Sequence, residues 1–400
     1  MRLKRKKREI YLDGAANAPL EHRVFKAMKP YMRESSVGNS FAIHSYGIKN
    51  MQAVEDSRYK IAKALGCDSC DNVIFTSGAT ESNNWVLKSL CFNNIMKHNK
   101  RKHIVVSAIE HSSIMSTCSF LEQLGYNITY VQPVDGVIHF EDIKAAIKEE
   151  ETFLVCVMIV NNETGMANDV LLMSEYTHEL GIYFMSDFTQ YMTWGGDSIR
   201  IYENFPHIDF FTFSLHKVYG PLGVGCTVVR DSALSSLKPL IHGGGQEFGL
   251  RGGTSNVAGI VGAGKAIELL AKHDCSYHYF SLFLTLMKNL PKEVELNFPS
   301  LSNIVSLNFT KFIKEIPNYD GGVPMAELLS AHNIACSAGS ACNTQDPSAT
   351  DLALSHVLLA CGFEKEDILN TVRISFTKYT KNRDIIDFCK RLKDIKKRGV

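Results

Sequence analysis

The stretch IDFFTFSLHKVYGP, residues 208–221, decides the fold. Residues 208–213 form an almost continuous apolar run that closes on a histidine and a lysine. Such a run suits a strand buried on both faces, as in a mostly parallel sheet covered by helices. Lys217 then sits where the strand ends. A lysine there is a poor core residue and a good amine nucleophile, because burial lowers its pKa and frees its lone pair. It is a candidate for a Schiff base with an aldehyde cofactor. Asp187, thirty positions earlier at the end of another apolar run, could supply the carboxylate that keeps a pyridine nitrogen protonated.

Outward from this stretch the same pattern repeats. Apolar runs at 73–75, 103–106, 153–160, 182–185 and 225–229 alternate with amphipathic stretches at 81–92, 113–124 and 171–180. Strand and helix in alternation predict an α/β domain. In such sheets the chemistry collects at the carboxyl ends of the strands. Polar clusters stand there: Ser77–Thr80, Glu110–His111, Asn161–Glu163, Asp187–Gln190 and His216–Lys217. Converging on one crevice, they would make a site. From about residue 262 long helical stretches precede short strands at 304–309 and 372–376, the pattern of a smaller α+β domain. The expected division is 17–261 for the large domain, and 1–16 with 262–400 for the small one.

Composition narrows the partners. The chain has 400 residues, 45% hydrophobic and 21% charged, with a formal net charge of +1. Nothing in that balance argues for nucleic acid or an anionic membrane surface, and no apolar run is long enough to span a bilayer. Six basic side chains within residues 1–8 read as a solvated tail. Eleven cysteines without a regular framework suit reduced thiols in a cytoplasmic protein. The lone pair Cys67 and Cys70 lacks further ligands at suitable spacing, so no metal site is expected.

Several motifs carry chemistry. Residues 76–81, TSGATE, join a strand to a helix, where small residues let an anion approach free backbone N–H groups; Thr80 also reads as the helix N-cap. His111 could stack on an aromatic cofactor and move protons. Arg251 and Thr254, in a glycine-dense loop, suit phosphate binding, across a dimer interface in one reading. Cys342, among small residues and followed by a polar stretch, is a candidate exposed thiol nucleophile. Arg373, near a short strand, could bind a carboxylate through two parallel hydrogen bonds.

Taken in order, these segments resemble the cysteine desulfurases that use pyridoxal 5'-phosphate (PLP), the group I branch of the class V aminotransferase family. The matching strings are TSGATES (76–82), Glu110-His111, VNNETG (160–165), DFTQ (187–190), HKVYGP (216–221), HGGGQE (242–247) and AGSAC (338–342). The resemblance implies PLP fold type I: a large domain with a mostly parallel central sheet, plus a smaller α+β domain carrying the cysteine loop. It implies that Lys217 carries the cofactor, His111 stacks on its ring, Asp187 pairs with the ring nitrogen and Gln190 bonds the ring hydroxyl. Ala79, Thr80, Ser214 and His216 would hold the phosphate, joined by Thr254 of a second subunit in a homodimer. Asn162, Arg373 and Asn39 match substrate-binding positions, and Cys342 the cysteine that receives sulfur from L-cysteine for transfer to an acceptor protein, an iron–sulfur scaffold among the candidates. The family pattern has alanine where this chain has Phe188, so a phenyl ring is expected to crowd the cofactor. The segment after Cys342 is also longer than the pattern. Rival expectations are a selenocysteine lyase, another class V enzyme, or a non-catalytic binding subunit.

Overall fold

This computed structural model describes residues 8–34, 37–317, 319, 323–338 and 354–399. Its strands are β1 (Ile10–Tyr11), β2 (Val73–Thr76), β3 (His103–Ser107), β4 (Asn127–Val131), β5 (Thr152–Cys156), β6 (Tyr183–Asp187), β7 (Phe210–Ser214), β8 (Gly225–Val229), β9 (Glu295–Leu296), β10 (Ile304–Asn308), β11 (Ile334–Ala335) and β12 (Thr371–Ser375). Seven of them form the central sheet in the order β2-β8-β7-β6-β5-β3-β4. Only β8 runs against its neighbours. The other ladders of this sheet are parallel, so β3, β5, β6 and β7 end on one edge.

The continuous apolar runs are explained by the two faces of that sheet. Phe75, Val105, Val155, Phe184 and Phe211 enter one core, while Ile74, Ile104, Leu154, Met185 and Phe210 enter another. Adjacent residues of a strand point to opposite faces. Both faces are covered by helices, so every position is apolar and no alternation is visible in the sequence. β4 is the edge strand and the exception: Asn127 is exposed and its next three residues are half-buried. Its sequence, NITYV, lacks the run that marks the others, and it was not anticipated.

A long helix, Ser45–Leu65, packs beside the helix Val257–Leu270. A Cβ on Gly264 would come within 2.9 Å of Ser57 Cα, so glycine sets how closely the two can cross. Ile260, Ala263, Ile267 and Leu270 belong to the large domain's core. The expected boundary at 261/262 therefore cuts through a continuous helix whose apolar stripe faces the large sheet. The small domain's own core begins with Cys275 and Tyr279.

That smaller unit holds an antiparallel sheet, β12-β10-β9, against the helices Ser276–Asn289 and Asn382–Arg398. The N-terminal segment joins it: β1 pairs in parallel with β11, and Asp13 bridges to Ser375.

Candidate active site

The strand ends converge. Ala79, Thr80, His111, Asn162, Asp187, Gln190, Ser214, His216, Lys217 and Arg373 all line one cavity of about 240 Å³, closed on another side by Ala15 and Ala16. Each arrives from a different place. Ala79 opens the helix Ala79–Met96 just after β2, His111 follows β3, Asp187 ends β6, and Ser214 ends β7. Arg373 comes across from β12 in the small domain.

Lys217 reaches the N-terminal segment, where its Nζ donates to the carbonyls of Ala15, at 2.6 Å, and Ala16. Asp187 is nearly buried, and its two oxygens are held separately. Thr189 N donates to Oδ1 at 2.9 Å and Asn83 Nδ2 to Oδ2 at 2.9 Å. His216 is pushed down to about pKa 4 by burial and by the ammonium of Lys217, so its ring is neutral near neutral pH. At the helix start, Ser214 Oγ accepts from Ala79 N at 2.7 Å. The N-cap is Gly78, not Thr80, which lies inside the first turn and faces the cavity.

Arg373 is buried with its fork partly occupied. Nη1 donates to Asn162 O at 2.8 Å and Nη2 to Asp13 Oδ1 at 3.1 Å, while Nε has no partner. Asn162 Oδ1, Thr189 Oγ1 and Gln190 Oε1 are likewise buried without partners among the described residues. Four unsatisfied polar atoms on residues of one cavity are costly unless a polar ligand meets them.

Cys342 lies outside the described residues. The residues flanking its segment are tied to a cavity residue or to chain neighbours of cavity residues. On one side, Ser337 pairs backbone to backbone with Arg373 and donates from Oγ to Asp13 Oδ1 at 2.9 Å. On the other, Ser355 Oγ donates to Glu163 at 2.5 Å and His356 Nε2 to the carbonyl of Glu110 at 2.9 Å. Cys336, just before that segment, is a poor nucleophile: burial, and secondarily Asp13, push its thiol up to about pKa 12.

Three expectations are corrected. Phe188 does not crowd the cavity. The pleat turns it to the far side of Asp187, where it is fully buried and meets Tyr191, Phe205 and Phe211 edge-on at 5.1–5.4 Å. Phe188→Ala should therefore cost about 3–5 kcal/mol of stability, as buried phenyl truncations do, and leave cofactor affinity within about twofold. Chemical denaturation and a cofactor titration check both parts. Arg251 does not contact the cavity: its guanidinium is spent on Glu81, at 2.9 and 3.2 Å. Asn39 is exposed and outside the cavity lining, and its Oδ1 instead accepts from Phe41 N. Thr254, expected to act only in the cavity of a second subunit, is exposed in this chain.

Two contributors were missed. Asn83 lies one helical turn after Ala79, a spacing that puts both on one face. Asp13 supports both Arg373 and Ser337. Glu110 was noted only as a neighbour of His111. It is completely buried, with Oε1 accepting from Ser107 Oγ at 2.5 Å and Met158 N at 2.6 Å. Burial pushes it up to about pKa 8, so the fold holds it protonated at neutral pH. An unfolded glutamate titrates near ~4.3. The folded chain then binds the extra proton between those values and loses stability as pH rises through that window. Glu110→Gln keeps the accepting oxygen and removes the titration. Its stability relative to wild type should rise from pH ~5 to ~8 in thermal melts; parallel curves would contradict the assignment.

Comparison with known proteins agrees with this geometry. A model of the family described as class V aminotransferase matches residues 10–388. A cysteine desulfurase IscS of Dictyoglomus turgidum is 38% identical over 389 residues, 95% of this chain and 92% of its own. One from Methanosarcina thermophila is 35% identical over 385 residues, covering 94% and 89%. Among solved structures, a NifS-like protein superposes with a TM-score of 0.82 at 31% identity, over 97% of this chain and 99% of that one. SspA in complex with cysteine gives 0.77 at 33% identity, over 93% and 100%.

Proposed function

The chain belongs to the class V aminotransferase family, and from that premise we infer that it is a PLP-dependent cysteine desulfurase. The observation that carries the reading is one cavity joining Lys217, Asp187, His111 and Arg373.

The residues present fit the cofactor. Lys217 offers the amine for its aldehyde and Asp187 the carboxylate for its ring nitrogen. Gln190, with an unsatisfied oxygen, suits the ring hydroxyl. Ala79, Thr80, Ser214 and His216 surround the start of a long helix, where backbone N–H groups and the helix dipole favour a phosphate. When bound, the cofactor supplies an electron sink for charge developing at the substrate Cα.

The chain's own groups do the rest. Arg373 retains donors for the substrate carboxylate, and Asn162 borders it. The Lys217 amine would serve as the base for the Cα proton. His111 stands at the same cavity for the later proton steps. The Cys342 thiolate attacks the substrate sulfur. The carbon–sulfur bond breaks and its electron pair remains with carbon, which takes a proton. L-cysteine and a thiol become L-alanine and a Cys342 persulfide. The outer sulfur then passes to an acceptor protein, for which we propose the class of iron–sulfur scaffolds.

We also place the protein in the cytoplasm as a homodimer. Asn39 and Thr254, left out of this chain's cavity, adjoin residues of a second, apolar cleft of about 560 Å³ lined by Phe41, Ile43, Met51 and Phe248. Ile43 is 94% exposed in the single chain. A second copy seated on that cleft would cover it and could carry Thr254 to the partner's phosphate site.

Purified protein given L-cysteine should yield alanine and a persulfide on Cys342, read by mass spectrometry. Cys342→Ala should lower sulfide release by roughly 10²-fold or more, since the nucleophile is gone. Full-rate sulfide release by that variant would point to a selenocysteine lyase or another enzyme of the family.

A further inference from the structure

We infer that Asn83 is a positioning residue for this reaction, aligning the Asp187 carboxylate toward the cofactor nitrogen and tying it to the His111 side of the site. The inference rests on the desulfurase reading and extends it to a side chain that does not line the cavity.

Asn83 is completely buried on the helix Ala79–Met96. A buried primary amide has two donors and an accepting oxygen to satisfy. Here both ends are met. Nδ2 donates to Asp187 Oδ2 at 2.9 Å and to Ser113 Oγ at 3.0 Å, and Oδ1 accepts from Thr212 Oγ1 at 2.6 Å. The orientation of the amide is forced. An ionised Asp187 can only accept, so the opposite flip would set oxygen against oxygen. Thr212 holds that orientation from β7, in the residue pair directly beside Asp187 in the ladder.

The second donor reaches further. Ser113 Oγ lies 2.8 Å from His111 Nδ1, which also accepts from Ser113 N at 3.1 Å as the cap of the helix Ser112–Gln123. A backbone N–H cannot accept, so Nδ1 is unprotonated and a neutral His111 carries its proton on Nε2. The two groups assigned to opposite roles on the cofactor, Asp187 and His111, thus share one buried amide as their common support. With Thr189 N on Oδ1 and Asn83 on Oδ2, the carboxylate plane is fixed by donors on both oxygens.

The test is a double-mutant cycle on the cofactor-loaded enzyme. Asn83→Ala should lower kcat for alanine formation by roughly tenfold to a hundredfold while KM stays within about threefold, the size expected for a lost charge-assisted hydrogen bond. It should also shift the pH midpoint of the bound cofactor's visible absorption band. In an Asp187→Asn background the same substitution should change kcat by less than about twofold, because Asn83 acts through Asp187. Equal losses in both backgrounds, or an unshifted band with native kcat, would overturn the inference. Should Asn83→Ala fail to fold, Thr212→Val provides the milder perturbation, with smaller changes in the same direction and the same non-additivity. If the wild type forms no alanine, the desulfurase reading fails by itself. The band shift then still decides the positioning role.

Discussion

Lys217→Ala should abolish alanine formation, lowering the rate by roughly 10³-fold or more, because one side chain serves as both covalent anchor and base. The visible absorption of a lysine-bound cofactor should vanish with it. Lys217 is placed for both duties. It follows β7 on a short turn, Leu215–Lys217, and its amine reaches the carbonyls of Ala15 and Ala16 across the cavity. Those carbonyls accept from the amine and fix its direction across the cavity. Native turnover with native absorption in Lys217→Ala would remove Lys217 from the chemistry and the desulfurase assignment with it. Loss of turnover with a retained band would leave the lysine as base only.

The second large effect concerns stability. Glu247→Ala should cost about 3–5 kcal/mol, the usual result of stripping the partner from a buried charge. Arg58 is buried on the helix Ser45–Leu65, and both its terminal nitrogens donate to Glu247, at 2.8 and 2.9 Å. Phe75 N, at the heart of β2, donates to the same carboxylate at 2.8 Å. Glu247 therefore meets a strand amide and the buried side of a guanidinium whose other contacts are the exposed Glu55, at 3.2 Å, and the Val73 carbonyl, at 2.5 Å. It does so from a strained backbone: Glu247 and Phe248 both have left-handed φ, at 46° and 56°. Side chains in that region cost roughly 1–2 kcal/mol each, so the turn persists because the carboxylate is held by three donors. Replacing both charges, as in Arg58→Met with Glu247→Leu, should recover much of the loss seen in denaturant titrations. A single substitution as mild as a surface change would show that the pair is not a keystone of the loop. Phe248, half-exposed beside the apolar cleft, would lose its presentation along with the turn.

Most of the candidate site was legible in the chain. Polar residues follow apolar runs at Ser77–Thr80, Glu110–His111, Asn161–Glu163 and Asp187–Gln190, and the common direction of β3, β5, β6 and β7 places their ends together. Strand, helix and strand in alternation leave few topologies for a chain of this kind. Arg373 was legible only as a basic residue near a strand. Its arrival at the cavity depends on how β12 sits against the large domain, which no local pattern encodes.

Sequence alone determined the elements, their order and the residue types that carry chemistry, because the apolar runs and the strand-end motifs are local. Tertiary structure alone decided where Phe188, Asn83 and Arg251 act, and where the large domain's core ends. The physical reason is the sheet itself. When both faces are buried, neighbours along a strand are equally apolar although they point in opposite directions, so composition cannot tell which side of Asp187 a phenyl ring will take. A buried amide such as Asn83 is equally mute, because its meaning lies in Asp187, Ser113 and Thr212, three partners distant in sequence that only the folded chain brings within reach.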